Sequence, residues 1–531
     1  MNPNTHRIPL AMLVAVAAVL AALLASAPAG ASTSQPTIAQ DDTQIVHGGA
    51  DRRGARLDEL KALGVDIVKI RVDWRFLAPG AESDSKPGGF SGENPGEYPD
   101  DRWAPYDDAI RGIVARGMTP YVMLGGRGPD WATGDGLTNP NADEFRRFVQ
   151  AVGTRYSGNF GGTAGSPAGG GTPLDPIVPA QAKPAVEAAY AATGNQVQAA
   201  QAGTPALPRV AVWAAWNEPN LSSWLKPQYD KRKRPQSPRV YRALVYAARD
   251  GLAASGHGSD QLLIGELAPS AGSGSTKIRP LTFLRELACL DSRYRAYKGS
   301  AAKARGCTGF QALPGTGLAY HPYTLSGGPD VRSRSGDDAH IAELSRVTSV
   351  LDRLYSRKRI ATRKMPIWIS EFGFQTDPPD RFAGASIKRV PGFMGHAEWL
   401  AFRNGRVASY SQYPVVDDAW KPGSYGGFQS GIREQDGSEK RYVYDAFQRP
   451  FFVKLRSSRS VELFGAVRAG APGQEIAIEQ RRGKGSFRPL VTVKLGAQGY
   501  FRVLKKISSP TRRQYRFRVG DAVSRTATAH R

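Results

Sequence analysis

The chain has 531 residues, 41% of them hydrophobic and 22% charged, and its formal net charge is +24. This length exceeds one typical domain, and the composition fits a soluble globular protein with a large core. After the N-terminal region no segment is long and apolar enough to span a bilayer, which excludes a polytopic membrane protein.

The N-terminus has the pattern of a secretory signal peptide. His6 and Arg7 precede an apolar stretch from Leu10 to Leu24, and small residues follow at 29–31. This order of charge, apolar segment and cleavage site predicts a signal peptide over residues 1–31. We therefore expect a secreted, extracellular protein, with cell-wall association as one location. An uncleaved N-terminal anchor is the alternative.

Strand and helix patterns alternate eight times between residues 41 and 450. This alternation predicts a (β/α)8 barrel, the TIM-barrel fold, whereas the alternative doubly wound sheet would favour a Gly-rich first turn that is missing here. A Gly- and Pro-rich insertion over 157–208 interrupts it, and 180–202 could form a helix there. The predicted strands are 44–49, 65–74, 119–124, 210–216, 262–267, 317–323, 365–374 and 407–413. The predicted helices are 56–63, 106–116, 142–156, 240–254, 281–290, 339–355, 393–403 and 442–447.

Residues 452–531 have a different pattern, with short alternating strands between Gly and Pro turns. They predict a small β-sandwich. This segment has 18 Lys and Arg against 4 Asp and Glu, a net charge of +14. That charge indicates either a solvated surface or attraction to a polyanion such as an acidic glycan or cell-wall polymer. Nucleic acid is not expected, because the chain is exported and has no recognisable nucleic-acid-binding motif. The segment is either a separate domain or a structural support for the barrel.

Two glutamates stand at the ends of apolar strands. Trp216-Asn217-Glu218-Pro219-Asn220 closes the fourth predicted strand, and Glu371 lies near the end of the seventh. A single such glutamate is more often a salt-bridge partner. In a parallel barrel, however, all strand C-termini open onto one face, so these two should meet there. Glycosidic-bond hydrolysis uses two paired carboxylates. Asn217, next to Glu218, could donate a hydrogen bond to a substrate hydroxyl.

Three further polar residues are predicted on the same face. Arg71 and Tyr323, at the ends of strands two and six, could keep Glu371 ionised. His321 could orient the acid or bind a sugar hydroxyl. The alternatives are that Arg71 pairs with an acidic neighbour such as Asp73 and that His321 and Tyr323 have polar packing roles.

Loop tryptophans form a second group of candidates for substrate binding. Trp131, Trp224 and Trp420 follow strands three, four and eight, and they either stack on sugar rings or cover the core. The run from Lys231 to Arg234 is either a solvated loop or a contact for an acidic substrate. Glu266, on strand five, is predicted to line the site or to be structural.

The two cysteines, Cys289 and Cys307, are predicted to form a disulfide, because the chain is expected to be exported. It would staple a connection and have no redox role, since no Cys-x-x-Cys motif is present. No metal site is predicted, since the seven histidines are scattered and no His-Glu-x-x-His motif is present. No cofactor is expected either.

The motifs Trp-Asn-Glu-Pro-Asn and Ser-Glu-Phe-Gly resemble those of the retaining glycoside hydrolases of clan A, above all family 5 (cellulase-like) and family 39. The resemblance covers about 45–450. It implies that Glu218 is the acid/base and Glu371 the nucleophile. It also implies substrate-binding roles for Asn217, Arg71, His321 and Tyr323.

The eighth strand departs from that pattern. Many relatives have a tryptophan there, whereas this chain has Tyr410 and Tyr413, so Tyr410 becomes a candidate sugar-binding residue. The C-terminal segment resembles bacterial immunoglobulin-like modules.

Together these features predict a secreted, monomeric glycoside hydrolase that cleaves the O-glycosidic bonds of a β-linked oligo- or polysaccharide with retention. The two carboxyl groups should then lie about 5–5.5 Å apart. A transglycosylase or wall-remodelling enzyme, and a non-catalytic carbohydrate-binding protein, are the alternatives.

Overall fold

The computed structural model describes residues 35–161, 205–271, 276–324, 327–419 and 427–531. The predicted signal peptide, most of the predicted insertion and Trp420 lie outside these ranges. No helix within the described ranges has the length and apolarity needed to cross a membrane.

The central element is a closed barrel of eight parallel strands, which confirms the predicted fold class. The strands follow one another around the barrel in chain order, and the first pairs with both the second and the last. They are β1 (Thr37–Gln40), β2 (Ile67–Val72), β3 (Thr119–Leu124), β4 (Val212–Ala215), β5 (Gln261–Leu267), β6 (Gly317–Tyr320), β7 (Ile367–Ile369) and, after a two-stranded ribbon of β8 (Thr376–Asp377) and β9 (Ala385–Ser386), β10 (Val407–Gln412).

The predicted position of the first strand is wrong. The first strand is Thr37–Gln40, and the segment predicted as strand, 44–49, begins within the one-turn helix α1, Asp42–Ile45. The Asp41 side chain accepts a hydrogen bond from the Gln44 backbone N–H at 3.1 Å, so it caps this turn. The cap at Asp41 thus stabilises a helical turn where the weak pattern of residues 44–49 predicted a strand.

Helices surround the barrel and alternate with its strands. Most of the longer ones lie within a few residues of their predicted positions, but α2 and α4 each begin six residues earlier than predicted and α10 begins five residues later. They are α2 (Ala50–Ala62), α3 (Trp74–Leu77), α4 (Asp100–Ala115), α5 (Asp130–Thr133), α6 (Ala142–Arg155), α7 (Ser237–Ala254), α8 (Pro280–Leu287), α9 (Gly299–Ala304), α10 (Leu344–Ser356), α11 (Val390–Phe402) and α12 (Val443–Gln448).

Side chains fill the barrel interior, so the barrel is a packed core and not a pore. The strands contribute mainly aliphatic and aromatic side chains to it, each less than a tenth exposed. This inner cluster comprises Ile38, Ile67, Tyr121, Met123, Val212, Ala214, Leu263, Ala319, Trp368 and Ala408.

The C-terminal segment forms two antiparallel sheets around its own apolar core, in agreement with the predicted β-sandwich. The sheet orders are β11-β12-β15 and β14-β13-β16-β17, with β18 also paired to β16. The strands are β11 (Phe451–Ser457), β12 (Ser460–Ala466), β13 (Glu475–Arg482), β14 (Arg488–Lys494), β15 (Tyr500–Lys506), β16 (Arg513–Val519), β17 (Ala522–Val523) and β18 (Ala527–Thr528).

The sandwich packs against the barrel helix α11 through an apolar contact. Trp399 and Phe402 of the helix are buried against Phe452, Phe464 and Tyr500 of the sandwich. Beside this contact, the Glu398 carboxylate is buried and accepts hydrogen bonds from Arg468, at 2.9 and 3.0 Å, and from the Tyr500 hydroxyl, at 2.6 Å. These contacts favour the structural-support alternative for the C-terminal segment.

Cys289 and Cys307 are joined by a disulfide, with their Cα atoms 5.7 Å apart. It links the end of α8 to the segment after α9, on the way to β6. Its position is consistent with a role in stapling a connection.

Candidate active site

Glu218 and Glu371 both follow the C-terminal ends of barrel strands, β4 and β7. Glu218 has φ 34°, and its backbone N–H donates to the Glu266 carbonyl at 2.9 Å. The chain turns sharply here, and this strained conformation directs the carboxylate into the barrel mouth.

Lys69 is the main contact of the Glu371 carboxylate. Its ammonium lies 3.2 Å from Glu371 Oε1 and is fully buried on β2. The Tyr323 hydroxyl lies 3.5 Å from Oε2 of the same carboxylate. Lys69 and Tyr323 therefore hold the Glu371 carboxyl group in position at the barrel mouth.

His321 brings the two glutamates together. Its Nδ1 atom lies 3.0 Å from Glu218 Oε1 and 3.5 Å from Glu371 Oε2. Those two oxygens can therefore be at most about 6.5 Å apart, the sum of the two distances. The structure thus brings both predicted glutamates and the predicted histidine to one point.

Beneath this trio, Glu266 forms a fully buried hub. Its carboxylate accepts hydrogen bonds from Lys69 Nζ at 2.9 Å and from the Ser370 hydroxyl at 2.7 Å, and it lies 2.5 Å from His321 Nε2. The Tyr121 hydroxyl donates to it as well. Glu266 therefore fixes the groups that contact Glu218 and Glu371.

The surrounding charges set the protonation of this network. Burial alone would lower the pKa of His321, but the charge of Glu371 and the hydrogen bonds to Glu218 and Glu266 raise it to about 9. Burial opposes ionisation of Glu266, yet the charges of Lys69 and His321 hold the pKa of that carboxyl well below its usual range. His321 is therefore an imidazolium near neutral pH, with a proton on each ring nitrogen.

We expect this imidazolium to make folding stability depend on pH. The folded pKa of about 9 exceeds the unfolded value near 6.5, so the stabilisation is full below about pH 6.5 and is lost as pH rises through 9. The difference corresponds to roughly 3 kcal/mol. Urea unfolding near pH 6 and near pH 9.5 should show a smaller loss of stability for His321→Gln than for the wild type. An unchanged pH dependence in the variant would contradict this assignment.

Arg71 does not contact Glu371, contrary to one prediction for it. Its Nε lies 3.6 Å from Asp73 Oδ2, the alternative pairing, and its guanidinium lies 5.5 Å from the centre of the Trp224 ring. Lys69, which was not predicted, occupies the place next to Glu371. The alternation of β2 gives the missed signal, because inward-facing Ile67 puts Lys69 on the inner face two residues later.

We expect Lys69→Met to destabilise the fold as well as the site. The substitution leaves Glu266 buried without its ammonium partner, and breaking a buried pair in this way costs about 3–5 kcal/mol. Denaturant unfolding measures this loss. The double variant Lys69→Met/Glu266→Gln should recover part of it, and Lys61→Met, at an exposed lysine, serves as the control. Equal stabilities of Lys69→Met and Lys61→Met would contradict the expectation.

Tyr410, a predicted sugar-binding residue, lies in the hydrophobic core. It is only 5% exposed, packs on Phe372 with the ring centres 5.7 Å apart, and lies in the outer layer of the core. Burial raises the pKa of its hydroxyl, and Glu398 adds to this effect. The candidate on this strand end is Tyr413, whose pKa burial also raises, with a further contribution from the charge of Glu371.

The described tryptophans have different surroundings. Trp131 packs on Trp74 and Phe90 and donates from its ring nitrogen to the Pro79 carbonyl at 3.2 Å, so it covers the core, as its alternative interpretation states. Trp224 is half-buried beside Arg71 and remains a candidate for stacking on a sugar.

Asn217 is 5% exposed, and its Oδ1 atom has no hydrogen-bond partner among the described residues.

A groove of about 780 Å³ extends from Arg71 along the strand-two side of the face. Its lining includes Arg71, Arg75, Arg102 and Arg127. Arg75 is paired with Asp130 at 2.5 and 2.9 Å, whereas the Arg127 side chain makes no hydrogen bond or ion pair with a described residue. The groove therefore has net positive charge.

No family model and no curated protein matches the sequence. Solved structures similar to this chain include virulence factor SghA from Agrobacterium tumefaciens, at 15% identity over 80% of this chain and 99% of that chain, with a TM-score of 0.41. A β-glucosidase from Exiguobacterium marinum has 15% identity over 76% of this chain and 87% of that chain, with a TM-score of 0.42. An FMN-binding β-glucuronidase from Facaelibacterium prausnitzii L2-6 has 9% identity and a TM-score of 0.38, and the match covers 94% of this chain but only 56% of that chain. The barrel is established by this chain's own strand pairing.

Proposed function

We propose that this protein is a glycoside hydrolase that cleaves a β-linked glycan by a retaining double displacement. The observation that carries the proposal is the contact of one His321 nitrogen with both Glu218 and Glu371 at two strand ends. The upper limit of about 6.5 Å between Glu218 Oε1 and Glu371 Oε2 admits the retaining spacing of about 5–5.5 Å and only the lower end of the inverting range of about 6.5–9.5 Å.

In the first step, a Glu371 oxygen attacks the anomeric carbon and forms an ester while the bond to the leaving oxygen breaks. Glu218 gives its proton to that oxygen. In the second step, Glu218 takes a proton from water, whose oxygen attacks the same carbon and releases Glu371. Lys69 and Tyr323 hold the attacking carboxylate throughout.

The proton for the first step is present in the pair of His321 and Glu218. His321 Nδ1 lies 3.0 Å from Glu218 Oε1, within hydrogen-bond distance, so a proton can pass between the two groups. Formation of the ester at Glu371 removes a negative charge from the network. Because that charge raises the pKa of His321, its loss makes the imidazolium a stronger acid in the second step.

We extend the proposal to the substrate class and location. The excess of four arginines over Asp73 and Glu82 in the lining of the groove, and the +14 charge of residues 452–531, favour a glycan that carries acidic groups. The N-terminal pattern favours an exported enzyme, secreted or associated with the cell wall. A transglycosylase would use the same first step and pass the glycosyl group to a sugar hydroxyl instead of water.

A screen with aryl β-glycosides and soluble neutral and acidic polysaccharides tests the proposal. We expect turnover of at least one glycoside, with product of retained anomeric configuration by NMR. The double variant Glu218→Gln/Glu371→Gln is the inactive control. Binding of glycans without turnover would favour the non-catalytic alternative, and products longer than the substrate would favour the transglycosylase.

A further inference from the structure

Away from the barrel mouth, three side chains with metal-binding atoms converge where the barrel meets the sandwich. Asp330 lies in the loop after β6, His396 on α11 and His530 next to the end of the chain. Asp330 Oδ2 lies 2.9 Å from His530 Nε2, and Asp330 Oδ1 lies 3.6 Å from His396 Nε2. The ligand atoms of the three residues all fall within 4.8 Å of one another.

Their backbones are held in place independently of any ion. His396 is in the middle of a helix, and its ring stacks on Phe452 with centres 4.1 Å apart and planes 6° apart. His530 pairs with β11, because its N–H donates to the Val453 carbonyl at 2.8 Å and its carbonyl accepts from the Leu455 N–H at 2.7 Å. The two imidazoles therefore reach Asp330 from fixed supports on either side of the junction.

We propose that Asp330, His396 and His530 form a binding site for a divalent transition-metal ion that links the barrel to the C-terminal sandwich. Metal–ligand bonds of about 2.0–2.2 Å in a tetrahedral site separate the ligand atoms by roughly 3.3 Å. The two imidazoles lie 2.9 and 3.6 Å from different oxygens of Asp330, and all three ligand atoms lie within 4.8 Å, so modest side-chain rotations would complete the site. Two imidazoles and one carboxylate leave one position for water.

The surroundings select among ions. The charge of Lys454 acts on His396, and Lys388, Arg389, Arg525 and Arg531 line the same cavity. Among the described lining residues, Asp330 is the one Asp or Glu side chain that offsets these cations. Hard ions such as Ca²⁺ and Mg²⁺, which need several oxygen ligands, should bind poorly. Zn²⁺, Ni²⁺ and Cu²⁺ form strong bonds to imidazole nitrogen and should bind.

The experiment uses the full chain without a polyhistidine tag, stripped of metal with a chelator. Calorimetric titration with Zn²⁺ should show one site per chain, and saturating Zn²⁺ should raise the midpoint of thermal unfolding, because the ion binds the folded state. Mg²⁺ at the same concentration should change neither.

Substitution of a ligand separates a metal site from an ordinary ion pair. His530→Ala, at a partly exposed ring, should weaken Zn²⁺ binding by more than the ~10–100-fold that loss of an outer-shell partner costs. His396→Ala and Asp330→Asn should weaken Zn²⁺ binding in the same way. The control is His47→Ala, at a histidine outside this cluster, which should bind Zn²⁺ like the wild type. Absence of stoichiometric binding, or equal binding by wild type and His530→Ala, would overturn the proposal and leave only the ion pair between Asp330 and His530.

Discussion

Replacing Glu371 with alanine should lower kcat by on the order of 10⁵-fold or more, because no covalent intermediate can form without its carboxylate. The side chain is 8% exposed, and its two oxygens contact Lys69, Tyr323 and His321. No other described carboxylate shares this set of contacts. Steady-state kinetics on the best aryl glycoside from the screen measures the effect.

Azide distinguishes loss of the nucleophile from loss of the fold. The cavity left by Glu371→Ala should admit this small anion, which would attack the anomeric carbon and give a glycosyl azide of inverted configuration. Glu475→Ala, at an exposed glutamate of the sandwich, should retain wild-type activity. Residual activity in Glu371→Ala near that of Glu475→Ala would contradict the assigned role.

Removing residues 451–531 should abolish soluble expression of the barrel. The truncation exposes Trp399 and Phe402, which are 1% and 5% exposed in the full chain. Each fully buried large apolar side chain contributes about 1.5–3 kcal/mol. The truncation also removes both partners of buried Glu398, Arg468 and Tyr500, and an unpaired buried charge costs about 3–5 kcal/mol. The total approaches the ~5–15 kcal/mol that holds a typical domain folded.

A redesigned truncation serves as the matched control. The shortened barrel with Trp399→Ser, Phe402→Ser and Glu398→Gln presents a polar surface in place of the exposed contact, so it should be more soluble than the simple truncation. A simple truncation that unfolds cooperatively at the wild-type temperature would show that the sandwich is a separate domain. Circular dichroism and size-exclusion chromatography distinguish these outcomes.

Much of the fold could be predicted because its signals are local and repeated. Eight alternations of apolar strand and amphipathic helix leave few arrangements other than a barrel. The first strand was misplaced because Thr37–Gln40 is short and stands directly before a capped turn at Asp41. Four consecutive buried residues show no clear alternation, so the position of the first strand could not be derived from them.

The site could be predicted only in part. Glu218 and Glu371 stand in distinctive strand-end motifs, and the topology of a barrel brings such ends together. The inward turn of Glu266 could not be predicted, because strict alternation from Leu263 would direct it outward. A register shift between Gly265 and Leu267, with positive φ at Gly265 and Glu266, reverses that direction.

Trapping the intermediate tests the central claim most directly. A 2-deoxy-2-fluoro β-glycoside with a good leaving group, built on the sugar that the screen identifies, should inactivate the enzyme. Fluorine slows both formation and breakdown of the ester, whereas the good leaving group restores the rate of formation only, so the ester accumulates. Peptide mass spectrometry should then find one glycosyl unit on the peptide that contains Glu371, and none in the Glu371→Ala variant. A label on a different residue, or turnover with inverted product and no label, would contradict the proposed mechanism.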